Sequence, residues 1–334
     1  MKIQLFLSGG GTRGIVFNLG CLAGLASLGA LENIRRVRTV SSSALLISLI
    51  YKINDGKFPT SEEFIRKNIA EKILVAMSQI DFENLVKFSF TRQLLAFKKP
   101  SIHTAISEVI SQKFLADTWI NTFEKELAWE ICTMDTARVH MLATAVAKLS
   151  RNNPTSLLRL LCASICLIPK VKPMQIDALL LGRKTGPKYL VLADAGIIDF
   201  LGIGKLHDNE IQEGRDSRVA DLFIVSDASL PLIDLMGTLQ KAKFWPVYKE
   251  LVRLQIINSH HKNKLRELIG ESAFIDVSLS QSGWPMRADS MASTQSCSIG
   301  SFRAMPKEVS EPIFEHSKTQ IVRSFRSRFT DSCG

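Results

Sequence analysis

The sequence predicts an α/β fold built on a mostly parallel central sheet, and three features carry that expectation. Short, apolar, β-prone runs alternate with longer helical patterns. A glycine-rich loop stands between the first such run and the first helix. Two later apolar runs, Tyr189–Ala193 and Leu222–Ser226, each end in a carboxylate, Asp194 and Asp227. Strand, glycine turn, helix, strand, sharp turn, helix is the order that produces parallel strands with helical crossovers.

Taken in chain order, Ile3–Leu7 reads as a buried strand. Ser8–Gly14 is a glycine loop, and Ile15–Leu31 is a helix, too long and continuous for a strand. That stretch is the longest apolar one, but it is short for a membrane span and is broken by Asn18, Gly20, Gly24 and Gly29, so a buried core helix is expected. Arg38–Val40 reads as a second strand and Ala44–Tyr51 as the start of a second helix. The region from about residue 58 to 115 is helix-rich and amphipathic, an insertion that either covers a site as a lid or packs one face of the sheet; Ser61-Glu62-Glu63 looks like a capped helix start. Trp129–Thr133 and Val139–Thr144 are strand-like, and Pro154–Ile168 is a helix opened by proline. A further helix carries Pro246 in its first turn, Phe274–Leu279 alternates like a strand, and residues 306–326 form a closing amphipathic helix. The Ser-, Gly- and Met-rich segment 281–301 reads as a loop. The whole, residues 1–334, is expected to form one domain.

Composition bounds the function. Of 334 residues, 46% are hydrophobic and 22% charged, an ordinary core-forming balance. The net charge of +10 allows a nucleic acid or an anionic membrane as partner, or a plain solvated face. The cations are scattered without interleaved aromatics, which argues against nucleic acid; the densest groups, Arg35-Arg36-Arg38 and Arg323/Arg326/Arg328, read as a solvated face or a membrane-attracting one. Six cysteines form no CxxC pair and no metal-ligand spacing with histidine, so no metal is expected, and a reducing compartment fits. No secretory leader is apparent at the first residues.

Three motifs carry chemistry. In the first, Ser8-Gly9-Gly10-Gly11-Thr12-Arg13-Gly14, glycines let backbone N–H groups converge on one point, and the helix start adds partial positive charge. Such a loop holds a phosphate or a developing oxyanion. A dinucleotide pattern fits Gly9, Gly11 and Gly14, but Ser41-Ser42-Ser43 stands where an acidic residue should meet the ribose. The second motif, Thr39-Val40-Ser41-Ser42-Ser43-Ala44-Leu45, lies between strand and helix, where a nucleophile elbow of the form G-x-S-x-G belongs. Centred on Ser43, it has Ser41 and Leu45 in the glycine positions; a serine-rich helix cap is the bland alternative. The third, Asp194-Ala195-Gly196, puts a carboxylate at a strand end, either as an Asx-turn or as a base.

In this order the motifs resemble those of the patatin-like phospholipase family, which joins a G-G-G-x-[KR]-G loop, a G-x-S-x-G elbow and a D-G-[GA] turn. Gly9–Gly14 matches the first in full, and Asp194-Ala195-Gly196 is similar to the third. Cys162-Ala163-Ser164 through Ile168-Pro169, Ile197–Gly202 and Val225-Ser226-Asp227-Ala228 also resemble family segments. The resemblance implies a three-layer α/β/α patatin-like fold and a serine-dependent lipid acyl hydrolase without cofactor, acting on a phospholipid or another acyl-ester lipid. It implies Ser43 as nucleophile, with Ser42 as fallback, Asp194 as base, and an oxyanion hole at Gly9, Gly10, Gly11, Thr12, Arg13 and Gly14. Arg13 either holds the loop or meets a lipid phosphate. The altered elbow leaves a second reading, a catalytically weakened lipid- or partner-binding protein. A Ser–His–Asp triad drawn from the six histidines and a nucleotide-binding protein are the further rivals.

Overall fold

The first strand shows how the molecule is layered. In β1 (Ile3–Leu7), Ile3, Leu5 and Leu7 enter one hydrophobic core while Phe6 enters another on the opposite side, so both faces of the sheet are buried. The computed structural model describes residues 1–96, 100–115, 127–149, 155–168, 171–204, 220–229, 245–279 and 302–330. The loop expected at 281–301, together with His207, Cys297 and Cys333, lies outside them.

The strands are β1, β2 (Ile34–Val40), β3 (Ala128–Asp135), β4 (His140–Ala145), β5 (Met174–Asp177), β6 (Tyr189–Asp194), β7 (Leu222–Asp227) and β8 (Phe274–Ser278). Among the described residues they form one eight-stranded sheet in the order β5-β6-β3-β2-β1-β7-β8, with β4 also on β3. The run β3-β2-β1-β7-β8 is parallel throughout; β4, β5 and β6 pair antiparallel. The expected three layers are present but unequal. Helices α1 (Gly11–Ser27), α2 (Ser42–Ile53), α3 (Ser61–Arg66), α4 (Ile69–Gln79), α5 (Phe82–Leu95), α6 (Ile102–Phe114), α7 (Thr155–Ser164) and α9 (Lys307–Thr330) build the large core. Across the sheet, Leu265 of α8 (Trp245–Ile269) and the turn at Leu201 and Ile203 cover Phe6, Phe223, Val225 and Phe274.

Several boundaries differ from the sequence reading for physical reasons. α1 starts at Gly11 rather than Ile15, because the last glycines of the loop already form its first turn. It is buried almost along its whole length, and α9 lies so close that a Cβ on Gly20 would stand 2.3 Å from the Phe314 carbonyl oxygen. β2 begins at Ile34, its polar residues Arg35 and Arg36 included. Among the described residues no helix is long and apolar enough to cross a membrane. The helices of the expected insertion, α3 to α6, pack against α1, α2 and α7; Thr60 caps α3 with a capping box to Glu63.

Arg38 corrects the picture of a basic face. Its guanidinium is buried, paired with Glu130 at 2.8 Å, and donates to the Gly202 carbonyl at 3.1 Å. Cys21, Cys132, Cys162 and Cys166 are buried; burial pushes Cys21 and Cys162 up to about 12 and raises Cys166 as well, so none of these three is a ready nucleophile.

Candidate active site

One arrangement of strands makes the site. Over Glu130–Asp135, β4 occupies one edge of β3. The other edge is shared: β2 runs up it in parallel, ending with Val40 opposite Cys132, and β6 runs down it antiparallel, ending with Asp194 opposite Thr133. The C-terminal ends of β2 and β6 therefore meet head-on at neighbouring positions of one strand. The residue after Val40 must face Asp194.

That residue is Ser41. Its hydroxyl donates to Asp194 Oδ2 at 2.6 Å. Its backbone sits at φ 56°, ψ −125°, a region non-glycine residues rarely hold and one that costs on the order of 1–3 kcal/mol. The surroundings hold it there: the Ala44 N–H donates to the Ser41 carbonyl, and α2 begins at the next residue. A sharp, strained strand-to-helix turn that presents a serine is the geometry of a nucleophile elbow.

Ser43, expected in that role, is elsewhere. Its side chain is fully buried; the hydroxyl accepts from the Val40 N–H at 2.8 Å and lies 2.8 Å from the carbonyls of Leu7 and Val40, to which it can donate. The expected Ser43–Asp194 pairing is not made, because β2 ends at Val40 and the turn points position 41 across the sheet edge and position 43 back into it. Ser42 is fully buried as well, its hydroxyl 3.0 Å from where a Cβ on Gly14 would stand. Centring the elbow on Ser41 puts Thr39 and Ser43 in the two glycine positions and removes Leu45 from the motif. A small residue two places on favours Ser41 over Ser43, but Ala44 gives Ser42 the same feature, so the sequence alone does not decide the register.

Asp194 is 4% exposed. Oδ1 accepts from the Gly196 N–H at 2.8 Å and Oδ2 from Ser41. Loss of hydration pushes its carboxyl up to about 6; the Ser41 and Gly196 hydrogen bonds pull the other way and only partly offset it. Among the described residues no histidine is hydrogen-bonded to Ser41 or Asp194. His261 stands instead 3.7 Å from Asp199. Asp199 accepts from the N–H groups of Leu201, Gly202 and Gly204 and so fixes the turn beyond the Asp194 motif.

The glycine loop lies against Ser41. A Cβ on Gly9 would stand 3.1 Å from Ser41 Cβ, and the Gly9 N–H donates to the Phe200 carbonyl. Gly10 has φ 125°, which turns the loop into α1. At Gly14 a Cβ would come within 2.4 Å of the Gly9 carbonyl oxygen, so only glycine lets the first helical turn pack on the loop. Among the described residues no side chain caps α1, and the first N–H groups of a helix have no intrahelical partner, so those around Gly10–Thr12 are available to an anion. Thr12 Oγ1 donates to the Arg303 carbonyl at 2.8 Å. Arg13 is 5% exposed and its Nε donates to the Ala228 carbonyl at 3.1 Å, which ties the first turn of α1 to the end of β7.

No protein-family model matches the chain, and no curated protein matches it. Solved structures do. Human GIVD cytosolic phospholipase A2 in complex with methyl gamma-linolenyl fluorophosphonate aligns with a TM-score of 0.51 at 12% identity, over 99% of this chain and 58% of that one. VipD from Legionella pneumophila aligns at 0.37 with 10% identity, over 98% and 67% of the two chains. The type III effector ExoU aligns at 0.34 with 12% identity, over 98% and 53%. The chain thus spans little more than half the length of the human phospholipase. That likeness is one of fold: the chain has the patatin-like phospholipase architecture, a mixed α/β sheet flanked by helices.

Proposed function

We propose that this protein is a serine-dependent acyl hydrolase of lipid esters, with Ser41 as nucleophile, Asp194 as general base and the N–H groups around Gly10, Gly11 and Thr12 as oxyanion hole. The observation that carries the reading is the 2.6 Å contact between a strained, strand-end serine and a buried carboxylate. In the reaction Asp194 Oδ2 accepts the Ser41 proton as Oγ attacks the ester carbonyl. The tetrahedral oxyanion forms against the glycine loop, where each donor is typically worth about 3 kcal/mol of barrier. The leaving alcohol takes the proton from Asp194, and water, activated by the same carboxylate, releases the fatty acid. A carboxyl raised toward neutrality suits both directions of proton transfer. A phospholipid or another acyl-ester lipid is the substrate class that the fold's neighbours favour, with an anionic membrane surface as its source for a chain of net charge +10.

The test is covalent labelling by a fluorophosphonate probe, with the modified peptide mapped, together with hydrolysis of a short-chain chromogenic ester. Labelling at Ser41, abolished in Ser41→Ala, is expected. A folded protein that stays unlabelled would leave the fold as a binding scaffold, and labelling at Ser43 would overturn the dyad.

A further inference from the structure

Asp227, the second strand-end carboxylate, is not used by the proposed reaction, yet it is the centre of a buried polar cluster beside the glycine loop. Lys262 of α8 places Nζ 2.8 Å from Asp227 Oδ2 and 3.1 Å from Asp276 Oδ2. The other Asp227 oxygen accepts from the Ser229 N–H at 2.9 Å and from its hydroxyl at 2.5 Å, which fixes the turn 227–229. That turn holds the glycine loop at two points. The Ala228 N–H donates to Ser8 Oγ at 2.8 Å, and the Ala228 carbonyl accepts from Arg13 Nε at 3.1 Å. Ser8 is tied again at its own backbone: its N–H donates to the Ser226 carbonyl, and Asn18 Nδ2 donates to its carbonyl at 2.9 Å. The Ser226 hydroxyl closes the circuit on Asn18 Oδ1 at 2.7 Å.

We infer that Lys262 is a positioning residue for the oxyanion hole, acting through Asp227 and Ala228 on Ser8 and Arg13 at the two ends of the glycine loop. Asp227 is 2% exposed and the Asp276 side chain 8%, and removing the ammonium between them leaves the buried Asp227 carboxylate without the cation that holds it ionised. Without Lys262 the strand-end turn loses the charge that fixes it, and the Ala228 carbonyl and N–H lose their set positions. The amides of Gly10–Thr12 would then drift from the point where the oxyanion forms. Misplacement by about 1 Å can cost on the order of 100-fold in rate. The inference rests on the hydrolase reading for its catalytic consequence, not for its structural one.

The experiment separates the two. Hydrogen–deuterium exchange over peptides covering residues 8–14 is compared between wild type and Lys262→Met, beside steady-state hydrolysis of a soluble ester. Faster exchange in that segment is expected, with kcat down roughly 10- to 100-fold and KM within about twofold, as for an interaction made only in the transition state. Lys262→Arg, which keeps a cation, is expected to stay near wild type in both. If Lys262→Met fails to fold, Lys262→Met/Asp276→Asn removes one of the stranded carboxylates and serves in its place. Unchanged exchange at 8–14, equal loosening in Lys262→Arg, or a loss confined to KM would overturn the inference. Should the wild type show no hydrolysis and no fluorophosphonate labelling, the hydrolase reading fails, while the exchange comparison still decides whether Lys262 holds the loop.

Discussion

Ser41 and Asp194, 153 positions apart in sequence, are joined by a 2.6 Å hydrogen bond at the point where two strands collide end to end on a third. The contact is a consequence of topology: the antiparallel course of β6 along the edge that β2 vacates leaves the carboxylate and the elbow no other place to go. Chemistry at this site is therefore separable from neighbouring serines that share its sequence context.

Ser41→Ala is expected to abolish ester hydrolysis and probe labelling with the fold intact. Ser43→Ala is expected to do the reverse. It removes a buried hydroxyl that ties the Val40 N–H to the end of β1, and should lower stability by about 1–3 kcal/mol while the folded fraction still labels at Ser41. Thermal unfolding and mass-spectrometric mapping on the same samples check both.

The Asp194 carboxyl must be ionised to take a proton, so kcat/KM is expected to rise with pH through about 6 and then level off. An acid limb centred near 4 in a pH–rate profile would contradict the burial argument.

The same carboxyl has a consequence for stability. Its folded pKa lies above the ordinary value of 3.8, so its contribution favours folding below that value and is lost as pH rises through about 6. Asp194→Asn keeps an acceptor for the Gly196 N–H and a partner for Ser41 without the buried charge. The inactive variant should match wild type in stability near pH 4 and exceed it at pH 8, by up to about 3 kcal/mol. Denaturant melts at the two pH values test the sign.

Gly14→Ala would place a methyl group 2.4 Å from a backbone carbonyl oxygen of the loop. A backbone atom cannot swing aside, so a loss of about 1–3 kcal/mol in stability is expected, with hydrolysis reduced because the loop is displaced from Ser41. Gly20→Ala, with equal crowding against the Phe314 carbonyl oxygen of α9, is expected to destabilise while the residual folded protein keeps its rate per site. Thermal unfolding, paired with ester turnover per folded molecule, distinguishes the two variants.

Much of this was legible in the chain itself. The apolar runs of β1, β6 and β7 and the continuous pattern of α1 fixed the fold class, because strand and helix periods are local properties of side-chain order. The triple glycine announced the tight turn from β1 into α1, since only glycine backbones turn there without Cβ interference. Asp194 was visible as a carboxylate ending a buried strand. Strand β5 was not, being a short edge strand, and neither was the link from Lys262 to the glycine loop, which joins elements far apart in sequence.

The choice among Ser41, Ser42 and Ser43 belongs to the tertiary structure. Three adjacent hydroxyls are chemically alike, and each lies within reach of an elbow motif. One residue of register turns a side chain by about 100° at the head of a helix, so which hydroxyl meets Asp194 is set by where β2 ends. That end is fixed by pairing with β3 and by the approach of β6, neither of which a linear sequence displays. Residue types set which groups are on offer; strand register set which hydroxyl meets the carboxylate.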